Sequence, residues 1–126
     1  MSIALWIIAG LLGLAFIAVG LMKLTQPKEK LAGMGLAWTE DFSPNQVKGI
    51  GTVEVLGGLG VVLPGLTGIA PILVPIAATG LVIVMIGAIA THLRRNETSA
   101  LALPAVLLLL AAFLAVGRFW LAPFGV

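Results

Sequence analysis

Apolar residues fall in four long runs along the chain, and polar residues gather in the short stretches between them. A helix that crosses a bilayer needs about 20 mostly apolar residues, because the hydrocarbon core is roughly 30 Å thick and each residue rises about 1.5 Å. Four stretches meet that length, at about residues 3–24, 44–63, 71–93 and 99–120. None alternates as a barrel strand does, and lipid offers the backbone no hydrogen-bond partner, so each is predicted to be a helix. The expected fold is all-α. It is an integral membrane four-helix bundle in a single transmembrane domain over residues 1–126, with a short interfacial segment between helices 1 and 2.

Local chemistry punctuates the runs. "TQPKEK" stops the first. At "SPNQ", Ser43 is placed to cap the second helix, Pro44 suits its first position, and Gln46 completes a capping-box spacing. That helix is expected to end at "PG", after Leu63. Pro75 falls in the first turn of the third run or kinks it slightly, and Arg94 and Arg95 close it. Asn96, Thr98 and Ser99 are candidate caps for the fourth, with Pro104 near its start. The first connection holds Leu31, Met34, Leu36, Trp38 and Phe42, too apolar for a solvated loop. It reads either as an amphipathic or re-entrant piece over the mouth of the bundle or as a linker resting on lipid. The first run is expected to stay in the membrane, since it has no basic leader and no small-residue cleavage site.

Charge sets the expected orientation. Lys23, Lys28, Lys30 and Lys48 flank the first connection, Arg94 and Arg95 the third, and "PGLTGIA" carries no charge. The positive-inside rule makes the first and third connections cytoplasmic. A multi-pass protein of the cell (inner) membrane with both termini outside follows, with Trp6 and Trp120 at the outer interface and Trp38 at the inner one. Composition agrees with a lipid-bilayer environment: 60% of residues are hydrophobic, 10% are charged, and mean hydropathy is +1.19, well above the range of soluble domains. With no cysteine, disulfides, thiolate metal sites and CxxC redox pairs are excluded, and one histidine with scattered acids gives no metal site. Basic residues flank spans rather than forming a stripe with aromatics, so no nucleic-acid partner is expected.

Small residues suggest how the helices meet. Gly13 and Gly20, Gly51 and Gly58, and Gly80 and Gly87 are each seven apart, two turns, so each pair shares a face. Ala105 and Ala112 repeat the spacing, and Ala111 and Ala115 lie four apart. These faces are expected to be turned into the bundle, because lipid supplies little hydrophobic drive between helices and close backbone contact replaces it.

One acid interrupts this apolar text. Glu54 lies ten residues past Pro44, hence about 15 Å deep and near the midplane. An acid there costs about 2.5 to 3.5 kcal/mol and normally faces the bundle interior or a partner. Its i, i+3, i+7 spacing with Gly51 and Gly58 turns it toward the glycine face. Lys23, His92 and Arg118 are the candidate partners, and each sits near the end of a span. If the spans are straight, these groups lie at the mouths of the bundle, direct pairing is a stretch, and a pocket lined by water or ligand is the expected setting. A carboxyl in apolar surroundings is suited to exchange a proton, although a structural acid holding helices in register fits the same residue.

"FIAVGLMKL", "GIGTVEVLGGLGVVLPGLTGIAP", "AATGLVIVMIGAIATHLRR" and the closing "GRF" resemble the DoxX-like family of small four-helix membrane proteins over nearly the whole chain. The resemblance implies a four-helix membrane bundle, and members are commonly described as candidate oxidoreductases linked to quinones or to oxidative-stress defence. Carried over by position, the family's polar pattern falls on Lys23, Glu54, His92 and Arg118. Members proposed to work through thiols are no guide here, and tyrosine and a second intramembrane acid are also missing.

The leading expectation is therefore an enzyme or redox accessory acting on a small lipophilic, quinone-like molecule between the helices. Glu54 would exchange the proton, Lys23, His92 and Arg118 would complete the catalytic set, and no cofactor would be bound covalently. The same residues also fit a cofactor-independent acid-base enzyme, an isomerase or an epoxide-opening catalyst. A non-enzymatic, chaperone-like subunit would instead use them to bind a membrane protein partner or a second copy.

Overall fold

The computed structural model describes residues 2–33, 42–98 and 101–121. In order these form α1 (Ser2–Thr25), α2 (Lys28–Gly33), α3 (Pro44–Gly60), α4 (Leu63–Thr67), α5 (Leu73–Arg94) and α6 (Ala102–Val116), which continues as a π-helical turn over Gly117–Leu121. No strand occurs among the described residues. Four segments are long and apolar enough to span a membrane: Ile3–Thr25, Pro44–Thr67, Leu73–Arg94 and Ala102–Leu121. The chain is an all-α membrane bundle.

The second span runs on past Leu63. Pro64 sits in the first turn of α4, where its missing N–H costs nothing, so the chain resumes a helix after the turn at Val61 and Val62. α3 begins as its sequence suggests: Gln46 N–H donates to Ser43 Oγ at 3.1 Å, and Ser43 N–H donates to Gln46 Oε1 at 2.8 Å. Pro75 and Pro104 are each the third residue of their helices and start them rather than bend them. Of the candidate caps for α6, Asn96 instead ends α5 in a left-handed conformation, and α6 starts after Leu101 without a side-chain cap. Ser99 lies outside the described residues, as do Met34, Leu36 and Trp38; in the same connection Leu31 of α2 is buried.

α1 packs chiefly on α3 and α5 on α6, and these two pairs join through α3 with α5 and α1 with α6. The α1–α3 contact is made by glycines. A Cβ on Gly20 would lie 2.6 Å from Gly51 O, one on Gly51 2.7 Å from Gly20 O, and one on Gly58 3.0 Å from Gly13 O. Advancing seven residues on α1 retreats seven on α3, so the pair is antiparallel, and no side chain fits between the backbones. The third pair departs from expectation. Gly80 and Gly87 are exposed, with nothing near an added Cβ, because α5 turns Val74, Ala78, Leu81 and Met85 inward instead. On α6 the buried small residues are Ala111 and Ala115, and Ala105 and Ala112 are only half-buried.

The core gathers Leu5, Leu12, Phe16, Val61, Leu81 and Leu114. The outer faces are equally apolar, with Leu14, Leu56, Ile83, Leu103 and Leu109 exposed. Such surfaces suit lipid, which is why no helix separates a polar face from an apolar one.

Candidate functional site

Lys23 and Glu54 form a buried ion pair. Nζ donates to Oε1 at 2.6 Å, and the side chains are 5% and 3% exposed. Straight spans would leave Lys23 at the mouth of the bundle with direct pairing a stretch, yet in the structure the two side chains meet. The closest backbone approach is at Gly20 and Gly51, and each charged residue lies three positions from it, about 4.5 Å, on opposite sides. Helical side chains lean toward their own N-terminus. In antiparallel helices that lean carries Lys23 inward and Glu54 outward, so both close the gap. The Lys23 stem passes over Gly51, where an added Cβ would sit 2.8 Å from Lys23 Cβ.

The pair is not sealed in a dry core. It borders a cleft of about 860 Å³ between α3 and α5, floored by Ala15, Phe16 and Val19 of α1 and closed on one side by Leu103, Pro104 and Leu107. Val53, Val84, Met85 and Ala88 make most of the remaining wall apolar. Phe42, Gln46, Thr91, His92 and Arg94 line one end of the cleft. α3 meets α5 where Gly57 receives Leu81 and Gly60 receives Ala77. This antiparallel register puts His92 about level with Gln46, roughly eight residues or 12 Å from the level of Glu54. On its other side Lys23 borders a small recess of about 180 Å³ lined by Gln26, Glu29 and Lys48. Lys23 thus stands between a polar recess and the apolar cleft.

His92 lines the cleft but is tied to Glu97, whose Oε1 is 2.9 Å from Nδ1, while Arg95 Nε donates to Oε2 at 3.2 Å. The hydrogen bonds from His92, first, and from Arg95 hold the Glu97 carboxyl below the ordinary carboxylate range. Glu97 was missed as a site residue. Its signal lay in "HLRRNE": an asparagine that accepts a left-handed turn after a helix folds the next residue back onto the last turn.

Arg118 is elsewhere. It is 4% exposed, in the π-helical turn, with Cζ 5.7 Å from the centroid of the Trp6 ring. Trp6 and Lys23 are seventeen residues apart on one helix, about 25 Å, so Arg118 belongs to the opposite end of the bundle. Its neighbour Gly117 lets the turn close on Leu5, whose side chain would lie 2.5 Å from an added Cβ. The four residues taken as one set therefore divide: Lys23 and Glu54 together, His92 at the end of the same cleft, Arg118 apart. No group of three or more metal-ligating side chains occurs among the described residues.

No curated protein and no solved structure matches the chain. The sequence model of the DoxX-like family matches residues 7–114. With the match reaching into all four spans and taking in both members of the buried ion pair, the chain belongs to the DoxX-like family.

Proposed function

We propose that this membrane protein binds a small lipophilic, quinone-like molecule in the cleft between α3 and α5 and moves a proton to or from it at Glu54. The observation that carries the reading is that the Lys23–Glu54 pair borders a roomy, mostly apolar cleft instead of being packed over. Binding sites for small lipophiles have this form, apolar walls with a few convergent polar groups. Glu54 gives a proton to a ligand oxygen, or takes one from it, while the Lys23 ammonium offsets the negative charge that remains. The recess beyond Lys23 offers that proton a way to the polar end of the bundle. With no cysteine in the chain, electrons for a quinone reaction come from a redox partner, and the chain's own part is the proton. The Lys23 end faces the cytoplasm and both termini face outward.

Native mass spectrometry of the protein extracted with its lipids tests the reading. A bound non-phospholipid lipophile is expected in the wild type and lost from Ala88→Trp, which fills the cleft. Glu54→Gln is expected to keep the ligand but not its turnover. Recovery of phospholipid alone, unchanged by Ala88→Trp, would overturn the proposal. A bound lipid alkene or epoxide in place of a quinone would move the assignment to cofactor-free acid-base chemistry at the same pair.

A further inference from the structure

The end of the cleft near His92 is built with a directional hydrogen-bond pattern. α5 finishes with two backbone bonds, Asn96 N–H to Leu93 O at 3.1 Å and Glu97 N–H to His92 O at 2.9 Å, around Asn96 at φ 58°. This is the Schellman arrangement, and it folds residue 97 back over residue 92. Both Glu97 oxygens are then engaged, one by His92 Nδ1 and one by Arg95 Nε. An ionised carboxylate only accepts, so the proton of the shared bond sits on Nδ1. In a neutral imidazole the other nitrogen is then an acceptor. Nε2 has no hydrogen-bond partner among the described residues, and none of their buried side-chain polar atoms is left unsatisfied, so Nε2 is reachable from outside.

Two of the side chains that line this end of the cleft with His92 offer donors: Arg94 carries only N–H groups, and the Gln46 carbonyl is already taken by Ser43 N–H, leaving its amide N–H₂. The Glu54 carboxylate is bound to Lys23, and α6 contributes only apolar residues there. A polar head at this end meets several donors and two acceptors, His92 Nε2 and the Thr91 hydroxyl oxygen, whose own proton goes to Gly87 O at 2.9 Å. A hydroxyl, which donates and accepts at once, satisfies both kinds of neighbour, whereas an ether oxygen satisfies only the donors.

We propose that Glu97 locks His92 in its Nδ1–H tautomer, and that the cleft thereby prefers lipophiles whose polar end is a hydroxyl donor, such as a phenol or a lipid alcohol. The inference rests on the reading of the cleft as a lipophile site. Glu97 is a positioning residue, and His92 is the specificity-determining one.

Because the chain has a single histidine, one imidazole ¹⁵N spectrum of the labelled protein in nanodiscs reports the tautomer. The neutral ring is expected as Nδ1–H in the wild type, with Nε2–H becoming populated in Glu97→Gln. Binding of 4-octylphenol and its methyl ether is measured on the same samples. The phenol is expected to bind at least tenfold more tightly, and the ratio to fall below threefold in Glu97→Gln and His92→Phe. An Nε2–H ring in the wild type, a ring doubly protonated up to pH 9, or a ratio unchanged by both variants overturns the inference but leaves the lipophile site standing. Failure of both probes to bind the wild type, or binding unchanged in Ala88→Trp, overturns the site itself.

Discussion

Burying Lys23 and Glu54 together differs in energy from burying either alone. Both side chains are largely buried, so removing one leaves the other without a counter-charge, a loss of about 3–5 kcal/mol in buried pairs. Replacing both by apolar side chains removes the desolvation cost as well as the attraction. Lys23→Met is therefore expected to be strongly destabilising, and Lys23→Met with Glu54→Leu to recover most of the loss, giving a coupling of about 0.5–3 kcal/mol in a double-mutant cycle. Unfolding of the purified protein by titrated SDS measures it. Glu97 gives a second expectation at this scale. Its carboxyl is held below the usual range by His92 and Arg95, so the clasp is fully present above the unfolded value of about 4.3 and is lost as pH falls through the lowered folded value. Amide protection in the α5–α6 turn, measured against the intrinsic exchange rate at each pH, is expected to be flat from neutrality to mild acid and to fall only below that range. Glu54 was legible in the sequence because an acid amid glycines is out of place in lipid. Its pairing was not, because helix rise alone does not include the opposed lean of side chains on antiparallel helices.

Among the elements, the α1–α3 contact is the least tolerant of added atoms. Gly20 and Gly51 meet backbone, which cannot rotate aside as a side chain can. Gly20→Val is expected to cost about 1–3 kcal/mol as overpacking does and to loosen the ion pair with it. Gly80→Ala meets nothing and is expected to be neutral or to stabilise by up to about 1 kcal/mol, because glycine weakens a helix interior. Thermal unfolding of both variants in one detergent separates the outcomes. The seven-residue spacing correctly marked the faces of α1 and α3. It failed on α5, where the same spacing lies on the exposed side, since glycine is common in membrane helices whether or not a neighbour uses it. Gly57, Gly60 and Gly117, each pressed by a side chain of another element, have no repeat in the sequence to mark them. Asn96 was misread for a related reason: between two helices a small polar residue fits the end of one as well as the start of the next.

For the whole molecule, the apolar lengths carried the architecture, and the proposed orientation rests on the distribution of basic residues. The chain has no native cysteine, so single cysteines report accessibility without background. Thr67→Cys, at the end of α4, is expected to react with an impermeant maleimide applied from outside, and Glu29→Cys, on α2, only after the membrane is opened. The reverse pattern would invert the assigned topology. A pocket between the helices at Glu54 was expected from the isolated acid, but its place between α3 and α5 was not legible, because it arises where those helices diverge and no local pattern encodes a gap.

That divergence is a wedge. α3 and α5 are pinned at Gly57 with Leu81 and at Gly60 with Ala77, while the cleft opens from Glu54 and Val84 toward Gln46 and Arg94. A guest can go no deeper than the apex, about 12 Å of chain from the polar end. Anything longer must leave sideways past Val53 and Gly87, both exposed, into the surrounding lipid. The protein thus measures only the leading end of its guest, and a homologous series of tails on one head should compete for it with nearly equal strength once the wedge is full.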